Sequence, residues 1–150
     1  FVNHATKTQC VLRFQTRKEA LSCTYQALTI TGNVFDGDVH ILEQTAPART
    51  TIQDIVFADN ICEGNILSEP RETIMTRHVM IRGNQLRMNG TYDLHASDWI
   101  WSGNSHPHGS LHIMPGAEGN VIHDNVTTST ITDQGKNTST ANNVTRPHDR

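Results

Sequence analysis

The sequence predicts an all-β solenoid, a single-stranded parallel β-helix of about six coils in which each coil rests on the one before. One observation behind this is a recurring phrase. Leu28-Thr29-Ile30-Thr31-Gly32-Asn33 returns as Ile55-Val56-Phe57-Ala58-Asp59-Asn60, as Val79-Met80-Ile81-Arg82-Gly83-Asn84 and as Trp99-Ile100-Trp101-Ser102-Gly103-Asn104. It recurs more loosely as Asn120-Val121-Ile122-His123-Asp124-Asn125, with a fainter echo in Thr140-Ala141-Asn142-Asn143. A second observation is the spacing of the terminal asparagines, which follow one another at 27, 24, 20, 21 and 18 residues. A third is that no helical periodicity fills the intervals, which argues against a leucine-rich repeat.

Each copy reads as a short strand ending in a sharp turn. Apolar residues stand three and five places before the Asn, as in Ile30 and Leu28, Phe57 and Ile55, Ile81 and Val79, Trp101 and Trp99. A spacing of two puts both side chains on one face of a strand. The residue before the Asn is Gly32, Asp59, Gly83, Gly103, Asp124 or Asn142, all types that tolerate a left-handed backbone at low cost. Stacked coils place equivalent strands about 4.8 Å apart. The six asparagines then form a ladder, each side chain bonding its own turn and the amide of its neighbour and so satisfying polar groups that the bend buries.

On these residues the chain resembles the right-handed parallel β-helix proteins of the pectate-lyase-like superfamily, in which asparagine ladders recur at such turns. The resemblance covers residues 28 to 143 and selects no single enzyme family. It implies a polysaccharide groove on the outward face of the main strand.

Taken in order, residues 1–27 are an irregular first coil with a strand near Cys10 to Phe14, residues 28–126 are the regular coils, and 127–150 form a thin polar last coil or tail. After Asn33, Val34-Phe35 turns inward and Asp36-Gly37-Asp38 bends before a strand from Val39 to Leu42. After Asn60, Cys62 goes inward, Gly64-Asn65 bends, and Ile66-Leu67 starts a strand. The third copy ends at the strong turn pair Asn89-Gly90, followed by Tyr92 and Leu94. In the fourth, Ser105-His106-Pro107-His108-Gly109 replaces the apolar residues after the turn, an extended spacing that sets both imidazoles on one side. Leu111 and Ile113 then resume the core. The 150 residues make one domain by length. The chain opens at Phe1 and closes on Arg146-Pro147-His148-Asp149-Arg150 without a cap, so a segment of a longer polypeptide, or one capped by partners, is expected.

Composition narrows the function classes. A net charge of −3 from 12 basic and 15 acidic residues offers no basic patch for a nucleic acid, and no apolar run approaches membrane-spanning length. The three cysteines include Cys62 at an inward place, and small buried thiols are the simplest reading. No metal site is expected: the histidines follow no known ligand spacing, and although Asp36-Gly37-Asp38 is compatible with Ca2+, no motif supports a cofactor. The polygalacturonase glycine-histidine-glycine and paired-aspartate motifs are absent, as are serine-hydrolase, P-loop and dinucleotide signatures.

Equal offsets from a ladder become rows on the surface. Three places after successive asparagines come Asp36, Glu63 and Arg87, the expected catalytic residues, with Asp38 two further on. Neighbours about 5 Å apart suit the acid and nucleophile of a retaining glycosidase. An arginine beside acids also suits a lyase that neutralises a sugar carboxylate before proton abstraction. Arg82, His123, Asp38 and His106 are the further candidates for substrate contact. Trp99 and Trp101 point inward by alignment on Gly103-Asn104, while a slip of one residue turns them into a platform for sugar rings. Four places before the Asn, the outward row reads Thr29, Val56, Met80, Ile100 and Val121. That apolar stripe suggests burial against another chain, and the segment is similar to the homotrimeric β-helix spikes of bacteriophages. The expectation is therefore an extracellular or virion-surface protein, oligomeric and most like a trimer, that recognises and depolymerises a polysaccharide. A non-catalytic carbohydrate-binding module and a structural stalk are the alternatives.

Overall fold

The computed structural model describes residues 2–3, 10–13, 22–41, 49–67 and 74–146. Among them there is no helix, and the strands stack in parallel as a β-solenoid. Three faces run along the axis. The long face is built from Ser22–Gln26 and Thr29–Thr31, which both pair with Arg49–Ala58, followed by Ile74–Arg82, Trp99–Ser102, Val121–His123 and Ser139–Ala141. The second face, just past the asparagines, stacks Val34–Phe35, Ile61–Cys62 and Gln85–Leu86, and continues beyond Ser105 as Val126–Thr127 and Val144–Thr145. The third carries Asp38–His40 on Ile66–Leu67, then Gly90–Leu94, Gly109–Ile113 and Thr132–Asp133.

Register follows the repeat. Ile81 pairs with Phe57 on one side and Trp101 on the other, and Trp101 pairs with Ile122. The apolar residues of the phrase therefore lie directly above one another. Ile55, Phe57, Val79, Ile81, Trp99, Trp101 and Ile122 are buried, joined from the other faces by Phe35, Cys62, Leu86, Leu94, Leu111 and Ile113. The rings of Phe35 and Phe57 stack with centroids 5.5 Å apart.

The asparagine ladder is continuous from Asn33 through Asn60, Asn84, Asn104 and Asn125 to Asn143. At every step the backbone N–H of one Asn donates to the side-chain oxygen of the next, at 2.9 to 3.0 Å. The side-chain amide donates to the same oxygen. From Asn60 onward that amide also donates to the carbonyl of the inward strand residue one layer back: Ile30, Phe57, Ile81, Trp101 and Ile122. From Asn60 onward each Asn thus satisfies a donor and an acceptor that the corner would otherwise leave unpaired.

The chain turns at this corner because the preceding residue is left-handed: Gly32, Asp59, Gly83, Gly103, Asp124 and Asn142 have φ between 53° and 69°. A second left-handed residue stands five places earlier in every layer, at Ala27, Asp54, His78, Asp98, Gly119 and Asn137. This second corner bends the long face and was not apparent in the repeat. At Asn120 it carries a further buried asparagine, whose oxygen accepts the Trp99 N–H at 2.9 Å and whose amide reaches the Ala96 carbonyl at 2.8 Å.

Three expectations change. The solenoid has about four turns rather than about six coils. The strand expected from Val39 to Leu42 spans Asp38–His40. The imidazoles of His106 and His108 do not share a side, since His106 is buried and His108 exposed. Residues 127–146 do continue the coil, though with strands exposed to solvent.

Candidate functional site

The second face delivers Asp36, Glu63 and Arg87 to one row. Their preceding residues Phe35, Cys62 and Leu86 are paired in register, the first with the second and the second with the third. Each inward side chain in the core leaves its successor facing out at the same height in its layer. The Glu63 carboxylate accepts a hydrogen bond from Arg87 Nη1 at 3.1 Å, and Arg87 Nη2 donates to Gln85 Oε1 at 2.9 Å. Both charged side chains are part exposed, so the pair contributes little to stability. It fixes the guanidinium beside the carboxylate. Asp38 lies apart from this row: its Oδ1 accepts the Asn65 N–H at 2.8 Å and holds the next bend.

Around the asparagine corner, on the outer surface of the long face, Arg82 pairs in register with Ser102, and Ser102 with His123. Arg82 is exposed. His123 Nδ1 lies 2.6 Å from the Asp124 carboxylate, and this bond, with a weaker one from Asn142, holds the Asp124 carboxyl below its ordinary range. Beside that row runs the apolar one. Val56, Met80 and Ile100 are half-buried and Val121 is 37 % exposed.

The remaining candidates sit in the core. Trp99 and Trp101 are 0 % and 1 % exposed, so neither presents a face to a sugar, and the platform reading is corrected in favour of packing. Their in-register partners Val79 and Ile81 are buried too, which forbids the slip that would turn them out. His106 is 1 % exposed and is likewise out of reach of a ligand on the surface. Its Nε2 receives the Trp101 indole N–H at 3.2 Å, and its ring and that of Tyr92 meet in a T-shaped contact. The Tyr92 hydroxyl donates to the Gly64 carbonyl at 3.3 Å and accepts the Met88 N–H at 3.2 Å; burial raises its pKa. Burial, and then the neighbouring Glu63 carboxylate, push the Cys62 thiol up to about 12, which makes it an inert core residue.

Among the described residues no three His, Cys, Asp or Glu side chains group closely enough to hold a metal ion, and no helix is long and apolar enough to cross a membrane. A cleft of about 330 Å³ opens at the last layer between Ile131, Asp133, Thr140, Asn143 and Thr145, away from the charged row. The geometry defines a parallel β-solenoid bearing a short charged row beside an asparagine corner. No family model, curated protein or solved structure matches the chain.

Proposed function

We propose that this chain is the β-helix of an extracellular polysaccharide-recognising protein of the pectate-lyase-like or tailspike kind, and that the row Asp36, Glu63 and Arg87 meets the sugar. The observation that carries the reading is the register of that row, which sets a carboxylate, a second carboxylate and a guanidinium on successive layers at about 4.8 Å per layer. Carboxylates spaced by one layer fit the separation of about 5 to 5.5 Å used in retaining glycoside hydrolysis. Asp36, with no arginine in contact among the described residues, is the proton donor. Glu63, in contact with Arg87, acts as nucleophile or base. Arg87 and the exposed Arg82 hold the carboxylate of an acidic sugar on either side of the corner. The apolar stripe Val56, Met80, Ile100 and Val121 joins copies of the chain into a homotrimer.

A second reading, a non-catalytic carbohydrate module, has its own support: the Glu63 carboxylate is already engaged by Arg87, and the described cleft lies elsewhere. Incubation with a panel of capsular and plant polysaccharides separates the two. Release of reducing ends or unsaturated uronates, lost in Asp36→Asn and Glu63→Gln, establishes depolymerisation. Binding without release, weakened in Arg87→Ala, establishes the module. Neither binding nor release across the panel overturns the proposal and leaves a structural stalk.

A further inference from the structure

The fourth layer closes its second face without a strand. Gln85–Leu86 lies on one side of it and Val126–Thr127 on the other, but here the chain reads Ser105-His106-Pro107-His108-Gly109, and Ser105 alone bridges to Gln85 and Val126. His106 takes the inward place that Phe35, Cys62 and Leu86 fill in earlier layers, and it is 1 % exposed. An indole N–H can only donate, so the His106 Nε2 that it meets at 3.2 Å must carry a lone pair. The one proton of the neutral ring then sits on Nδ1, which is buried without a hydrogen-bond partner. Tyr92 and Trp101 pack on the ring with centroids 5.2 and 5.9 Å away.

We propose that His106 is an acid-operated latch, which holds the corner of the fourth layer closed while its ring is neutral and opens that corner when the ring is protonated. Protonating Nε2 replaces an acceptor with a donor and sets two N–H groups against each other. It also places a positive charge where nothing accepts from the other nitrogen. The Tyr92 phenol, from the third face, is the titratable group packed on the ring, and it stays neutral throughout the acid range. Leu86 and Thr127, the inward residues of the adjoining layers, and Trp101 from the long face do not titrate. His108, on the same corner, is exposed to solvent.

The sign follows from burial, which lowers the His106 pKa from 6.5 to about 4. The open corner binds the proton more tightly than the closed one. Closure is therefore fully favoured above pH 6.5, weakens as the pH falls through the interval down to about 4, and weakens no further below it. Across that interval the closing equilibrium shifts by roughly 300-fold, the factor that corresponds to a displacement of this size.

The test is the tryptophan emission and near-ultraviolet circular dichroism of the whole chain, followed from pH 7 to pH 3 for the wild type and for His106→Gln, whose amide oxygen can accept the indole N–H but does not titrate. The wild type is expected to show a reversible red shift of the emission within the interval, and His106→Gln none. Equal midpoints and amplitudes in the two proteins overturn the proposal. Should His106→Gln fail to fold, the histidine ring is titrated directly in the wild type by nuclear magnetic resonance. A midpoint near 4 sustains the latch, and one near 6.5 overturns it.

Discussion

Asn84 shows how much one side chain can hold. Its oxygen accepts from both the backbone and the side chain of Asn60, and its amide reaches the Phe57 carbonyl and the Asn104 oxygen. Truncation in Asn84→Ala orphans the buried Asn60 N–H and the Phe57 carbonyl together. At about 1 to 3 kcal/mol for each buried group left unpaired, a loss of about 4 kcal/mol is expected in urea unfolding. Asn33→Ala, at the part-exposed end of the ladder, should lose about 1 kcal/mol. Equal losses at the two sites would mean that burial along the ladder does not govern its strength. Cys62 gives a second expectation at this scale. With its thiol at about 12 and no exposed surface, it should resist iodoacetamide at pH 8 in the folded chain and react in urea, as read by mass spectrometry of its peptide. Rapid labelling of the native protein would contradict its place in the core.

At the scale of the element, the corners set the limits. A Cβ on Gly64 would stand 2.3 Å from the Gly37 carbonyl carbon of the layer it rests on, a backbone atom that cannot swing aside. Gly64→Ala should therefore force the two bends apart and cost about 3 kcal/mol or more. Ala27 presents the opposite case, an exposed L-residue held at φ 55°. Ala27→Gly relieves that backbone and should raise stability by about 0.5 to 1 kcal/mol, visible as a higher midpoint of thermal unfolding. If both substitutions destabilise, the left-handed geometry of the second corner is not what limits Ala27.

On the scale of the molecule, a solenoid repeats whatever its layer presents, so a single outward apolar position becomes a stripe. Val56, Met80, Ile100 and Val121 lie in register on consecutive strands. The homotrimer proposed above makes this stripe its seam, and Ile100→Glu should then lower the mass seen by light scattering from three chains to one while leaving circular dichroism unchanged. A wild-type monomer at micromolar concentration would remove the seam. The charged row on the second face belongs to the same logic: Asp36, Glu63 and Arg87 were assembled from their offsets to the ladder, and the pairing of the strands that end just before them brings them to one line. The contact of Glu63 with Arg87 depended on the stacking itself.

The ladder and the inward strand positions were legible because they rest on local chemistry. A left-handed residue before an Asn, with apolar residues three and five places earlier, is a pattern that each layer needs in order to turn and bury its strand. The second corner was not legible, since Ala27, Asp54, His78, Asp98, Gly119 and Asn137 share a backbone angle but no side-chain type; only their constant distance of five from the first corner marks them. His106 was misplaced for a related reason. Nothing in Ser105-His106-Pro107-His108-Gly109 says which imidazole faces in, and only the stacking between Leu86 and Thr127, with an indole N–H in need of an acceptor, decides it. The sequence by itself determined the coil, its period and its asparagine corner, because those answer to the backbone of each turn. The tertiary structure decided which polar side chains are buried and which charges meet, because both depend on what the neighbouring layer puts above and below them.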